Sequence, residues 1–179
     1  VINQRTQVVA PKLNQSLKER LEGDTGGVFV PLYGHVPSTP KALKEGLIAG
    51  MRRVGLGRNV RSLKALPHDN SQDMLELLQH GTEKISKQNK DHLVVVWDEF
   101  GRHLQGLISE GRPEDLDLIQ LLAEFATRQS DVKVSLVLLL HRSLVGYASG
   151  LPATLQREWA KIQGRFDTLQ YVDDSAEMY

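Results

Sequence analysis

Hydrophobic positions along the chain alternate between two patterns, one with the period of a helix and one with the unbroken apolar character of a buried strand. Leu13, Leu17 and Leu21 recur every four residues and predict a short amphipathic helix over 12–21 that stops near Gly23. Gly26-Gly27 breaks the chain, and Val28-Phe29-Val30-Pro31-Leu32-Tyr33 is a β-rich run closed by Gly34. Ser38 offers a side-chain oxygen to the orphan N–H groups of a helix over about 40–53. Residues 55–70 mix Gly, Arg, Asn and Pro and read as a connector. Met74, Leu75, Leu77, Leu78 and Ile85 then predict a helix over about 71–89.

Leu93-Val94-Val95-Val96-Trp97 has no polar face, which predicts a central strand covered on both sides. Leu116, Ile119, Leu122, Ala123 and Ala126 predict a helix over 114–129, opened by Pro113 with Glu114 and Asp115 at the positive end of its dipole. Residues 134–140 form another apolar strand, a helix follows over about 152–162, and Leu169-Gln170-Tyr171-Val172 is placed as a closing strand. The alternation predicts an α/β fold: a mostly parallel sheet with helices on both faces. The chain divides into an N-terminal helix and linker over 1–26, one core over 27–174 and a tail over 175–179.

Composition narrows the class. A chain of 179 residues with 22 basic and 22 acidic side chains, 40% hydrophobic, suits one globular domain and excludes global disorder. The absence of cysteine excludes a disulfide framework, a zinc–thiolate site and a thiol nucleophile. The longest apolar runs fall far short of the roughly 18 residues that span a bilayer, so no membrane is expected and the cytoplasm is the expected compartment. The chain opens Val1-Ile2-Asn3-Gln4 with no initiator methionine and reads as a piece of a longer protein.

In parallel α/β sheets ligands gather outside the carboxyl ends of the strands, which directs attention to three segments. Asp98-Glu99 follows the first long apolar strand: Asp98 could hold Mg²⁺ and Glu99 could polarise a water for attack on a phosphoanhydride. A plainer reading is that a buried strand must end in something polar. His141-Arg142-Ser143 follows the next strand, where His141 is either functional or a satisfied structural histidine. Gly164-Arg165-Phe166-Asp167 follows a helix, and Arg165 there either meets a phosphoryl group or pairs with Asp167 or Asp173.

Over about 27–174 these segments, in this order, resemble the AAA+ and related P-loop ATPase core. The resemblance is to bacterial ATP-binding proteins with a Trp-Ala-Lys-x-Gln-Gly-Arg-Phe segment, here Trp159 to Phe166. It implies ATP and Mg²⁺ as cofactors, Asp98-Glu99 as Walker B acids, His141 as the γ-phosphate sensor and Arg165 as an arginine finger acting on the next subunit of a homo-oligomer. His141 replaces the usual small polar residue, and Ile162 stands where the family often carries a second arginine. The phosphate loop itself is missing. There is no G-x-x-x-x-G-K-[ST]; Gly23-Asp24-Thr25-Gly26-Gly27 lacks the lysine, and Gly55-Leu56-Gly57-Arg58 lacks the remaining glycine of a dinucleotide fingerprint. In the family the phosphate loop and its strand precede the segment aligned with Val28 to Tyr33, which implies a position upstream of residue 1, and the family's strand order, 5-1-4-3-2, makes that strand central to the sheet. The chain is therefore expected to be a piece of an ATPase, marginally stable alone, or a degenerate relative serving as a non-catalytic interaction or nucleic-acid module.

Arg52, Arg53, Arg58, Arg61 and Lys64 form a basic cluster with no acid between Arg52 and Lys64. It could contact DNA phosphates, or form a solvated face balanced by Asp173, Asp174 and Glu177. Glu99 and His103 would share a face if a helix starts at Glu99, as metal ligands, as an ion pair or with His103 facing solvent. Trp97 is expected to pack in the sheet and Trp159 to anchor its helix. A hydrolase using Ser143 or Ser149 is disfavoured, since no G-x-S-x-G elbow is present.

Overall fold

Three parallel strands form the frame of the computed structural model, which describes residues 26–112, 114–128, 130–149 and 151–169. Strands β1 (Gly27–Tyr33), β2 (His92–Asp98) and β3 (Lys133–Leu138) lie side by side in chain order. The first crossover carries α1 (Thr39–Arg53), α2 (Val60–Ala65) and α3 (Ser71–Ser86); the second carries α4 (Phe100–Ser109) and α5 (Glu114–Ala126). Beyond β3 come α6 (Leu144–Ala148) and α7 (Ala153–Gln163). An α/β fold with a parallel sheet is thus what the alternating pattern produces, and β2 is the central strand of the three.

Local chemistry accounts for the helix ends. The Ser38 hydroxyl accepts the Lys41 N–H, with Pro40 in the first turn where its missing donor costs nothing. At the far end of α1, Gly55 adopts φ +83 and its N–H donates to the Arg52 carbonyl while the Leu56 N–H reaches back to Met51. This is the Schellman arrangement, and the apolar contact it favours is available because both Met51 and Leu56 are buried. Asn70 caps α3 by accepting the Asp73 N–H at 3.0 Å.

Strand periodicity decides what the sheet buries. Val28, Val30 and Leu32 of β1 stand beside Leu93, Val95 and Trp97 of β2, and all six are buried. Helix α1 packs on β1, α5 packs on β3 and α3 lies between the two helices, giving one helical layer over this face. Small residues bring α1 close: a Cβ on Gly46 would sit 2.6 Å from Val30 Cγ1, and one on Gly50 would sit 2.5 Å from the Phe29 carbonyl oxygen. On the opposite face Phe29 and Val137 are 47% and 40% exposed, with Val94 and Val96 half-buried between them. Helices on both faces, and full cover for the central strand, are therefore not what the described residues provide. They cover one face of the sheet and leave the other partly open.

Three helices depart from the sequence reading. The connector over 55–70 contains α2, anchored by buried Val60 and Leu63. Helix α6 is a single turn capped by Ser143. Helix α4 buries Phe100, Leu104 and Leu107, although Gly101 and Gly106 lower its helical propensity. Packing explains those glycines, because a Cβ at Gly101 would collide with the Tyr147 ring and one at Gly106 with the His35 ring. The helix expected over 12–21, Pro113, the closing strand beyond Leu169 and the tail over 175–179 lie outside the described residues. Among the described residues no helix is long and apolar enough to cross a membrane.

Candidate functional site

The carboxyl end of β2 is pinned from both neighbouring strands. Tyr33 stands in register with Asp98, and the next residue, Gly34 at φ +57, donates its N–H to the Asp98 carbonyl at 2.8 Å. Trp97, fully buried as expected, donates its indole N–H to the Gly34 carbonyl at 2.9 Å. On the other side the Leu139 N–H donates to the Trp97 carbonyl, and the Phe100 N–H to the Leu139 carbonyl at 3.0 Å. The turn Asp98-Glu99-Phe100 is thereby held between the ends of β1 and β3.

Within that turn Glu99 has φ 49 and ψ 39, a left-handed conformation that costs a residue with a Cβ roughly 1–2 kcal/mol. Its N–H donates to Asp98 Oδ1 at 2.8 Å, which partly compensates. Asp98 itself is exposed, whereas Glu99 is half-buried and pairs with Arg102, Nη1 to Oε2 at 2.8 Å. The hydrogen bond from Arg102 is the main reason the Glu99 carboxyl lies below the usual carboxylate range; burial opposes it, and Tyr33, the Arg102 charge and His141 reinforce it. The Tyr33 phenol is correspondingly pushed up, first by its hydrogen-bonding approach to Glu99 and then by that carboxylate's charge. The ion pair with Arg102 favours the carboxylate form of Glu99 and lowers its basicity, so it suits orienting a water through a hydrogen bond better than strong proton abstraction.

Three of the four sequence-derived site residues gather here. Asp98 ends β2 with Glu99 next to it, and His141 stands exposed just beyond β3 at the same end of the parallel sheet. Arg165 does not join them. Its Nη2 lies 2.7 Å from Glu124 Oε1, so the intrachain partner is a residue of α5 and not Asp167; Asp173 is outside the described residues. The expected Glu99–His103 pairing is also replaced. Glu99 takes Arg102, while His103 is fully buried and does not face solvent, stacked on His35 and packed against Trp97. Among the described residues no group of three or more His, Asp or Glu side chains is placed to hold a metal.

Tyr33 and Arg102 were missed by the sequence reading. Arg102 is three residues beyond Glu99 on α4, a spacing visible once that helix is known. Tyr33 is 66 positions away in the chain, and only the β1–β2 register brings it to Asp98.

A second feature lies at the other end of the sheet. Because α1 runs back along β1, with Gly46 beside Val30 and Gly50 beside Val28, its last turn lies near the start of the strand. There Arg52, Arg58, Arg61 and Lys64, with Gly57 and Val60, line an open hollow of about 580 Å³. No family model, no curated protein and no solved structure matches this chain.

Proposed function

We propose that the chain contributes to the nucleotide-hydrolysing core of an oligomeric P-loop ATPase of the AAA+ type. One observation carries the reading: an Asp-Glu pair closes the middle of three parallel strands, and the polar residue His141 follows the neighbouring strand at the same end of the sheet. The strand order β1-β2-β3 supports it, since the 5-1-4-3-2 family order contains the run 2-3-4. In that order the phosphate-loop strand would pair with the outer edge of β3, and the open face carrying Phe29, Val94, Val96 and Val137 has room for the helix that follows it.

The residues present fit magnesium. Mg²⁺ is held by one or two carboxylates together with waters and phosphate oxygens, so one exposed aspartate is a sufficient protein contribution. Asp98 would hold the ion, which when bound supplies charge neutralisation to the phosphates. Glu99, held in place by Arg102, orients the attacking water. His141 reads the terminal phosphate, and Arg165 leaves Glu124 to reach the nucleotide of a neighbouring subunit.

Equilibrium titration of a fluorescent ATP analogue with Mg²⁺ tests the reading, using the chain and a form extended upstream of Val1. Binding by the extended form that weakens in Asp98→Ala is the expected result. In that form Glu99→Gln is expected to retain nucleotide and lower turnover by roughly 100-fold or more. Absence of binding by both forms, or binding indifferent to Asp98→Ala, would falsify it.

A further inference from the structure

We propose that the basic hollow at the junction of α1 and α2 is a binding site for the phosphate backbone of duplex nucleic acid. Arg52, Arg53, Arg58, Arg61 and Lys64 are all exposed, and four of the five line the hollow. None of the five makes an ion pair among the described residues, a state they share with Lys41, Lys84, Arg142 and Arg157; what sets them apart is that four of them line one hollow with no carboxylate among its lining residues. A chain with equal numbers of acidic and basic residues thus carries five cations and no acid over residues 52–64. Like charges held close repel, and an anionic ligand relieves that repulsion.

The platform beneath them is packed on the core. The Schellman turn at Gly55 and buried Leu56 fix the chain after α1, and buried Val60 and Leu63 seat α2 on the core. Arg61 and Lys64, three apart on α2, therefore project from the same side, with Arg58 one turn earlier. Gly57 leaves open space where a side chain would stand.

The lining also selects among anions. It contains no carboxylate or amide to recognise a base or ribose edge and no aromatic ring on which a base could stack. Backbone phosphates are what such a surface can read, so the binding is insensitive to sequence. An anionic membrane is disfavoured because Leu56 and Val60 are buried, leaving no exposed apolar side chain in the hollow to insert. The inference does not rest on the ATPase reading, because the hollow lies at the opposite end of the sheet from Asp98 and Glu99.

Fluorescence anisotropy of a labelled 20-base-pair duplex, titrated with the 179-residue chain at several salt concentrations, tests the proposal. Binding is expected to weaken with salt, and Arg58→Ala/Arg61→Ala to reduce the log–log slope by about 2 and affinity by roughly 10-fold. Arg58→Lys/Arg61→Lys, which keeps both charges, should retain the wild-type slope. Equal melting midpoints for the three proteins separate lost contact from lost fold. Duplex binding that is absent, independent of salt or unaltered in the double alanine variant overturns the proposal. So does tighter binding to polyglutamate or to phosphatidylserine vesicles than to the duplex.

Discussion

His103 shows how a single side chain couples stability to pH. Its Nδ1 accepts the Val36 N–H at 3.4 Å, so the proton of the neutral ring sits on Nε2, which is buried without a partner. Burial, with the nearby positive charges of His35 and Arg112 adding to it and Glu110 opposing, lowers the His103 pKa to about 3. An unfolded chain binds this proton near pH 6.5 and the folded one does not, so stability falls as pH drops below about 6. The slope approaches roughly 1.4 kcal/mol per pH unit, giving a loss of a few kcal/mol by about pH 4. Circular dichroism melts between pH 7 and pH 4 should show this fall in the wild type and a much flatter profile in His103→Leu. Parallel profiles would remove His103 as the cause. Glu99 illustrates the opposite tuning. Its carboxyl is shifted down by the hydrogen bond from Arg102 at a left-handed backbone position, and nothing in the local sequence Trp97-Asp98-Glu99-Phe100 announces either feature.

At the scale of elements, the glycines of α1 and its connector separate space from conformation. Gly50 lies against the Phe29 carbonyl, a backbone atom that cannot move aside without disturbing β1. Gly50→Ala is expected to destabilise by about 1–3 kcal/mol in urea unfolding, through overpacking alone. Gly57 has open space and no unusual φ, so Gly57→Ala should be neutral within about 0.5 kcal/mol. A neutral Gly50→Ala would mean that α1 does not press on the sheet. These examples also show what was legible. The cap at Ser38 that opens α1, the apolar stripes of α3 and α5 and the three strands could be read because each is encoded by near neighbours. Helices α4 and α6 could not, because their small residues answer to distant rings such as His35 or their span is a single turn. Trp159 is buried in α7, in line with the expectation that it anchors its helix.

Across the whole molecule, the parallel sheet gives the chain two distinct ends. Asp98, Glu99 and His141 lie at the carboxyl ends of the strands, and the basic hollow lies where α1 returns to their beginnings. The two sites are therefore expected to act independently: Arg58→Ala/Arg61→Ala should leave nucleotide binding by the extended form unchanged, and Glu99→Gln should leave duplex affinity unchanged. A several-fold effect in either direction, read by the same titrations, would instead indicate coupling through the sheet. The sequence by itself determined the α/β class, the central position of β2, the acids at its end and the basic composition of 52–64. These depend on periodicity and on residues adjacent in the chain. Only the tertiary structure decided that one face of the sheet is open, that Tyr33 meets Glu99, that Arg165 turns to Glu124 and that His103 is buried beside His35. Each of those contacts joins residues whose separation along the chain bears no relation to their separation in space, and strand register and helix packing alone bring them together.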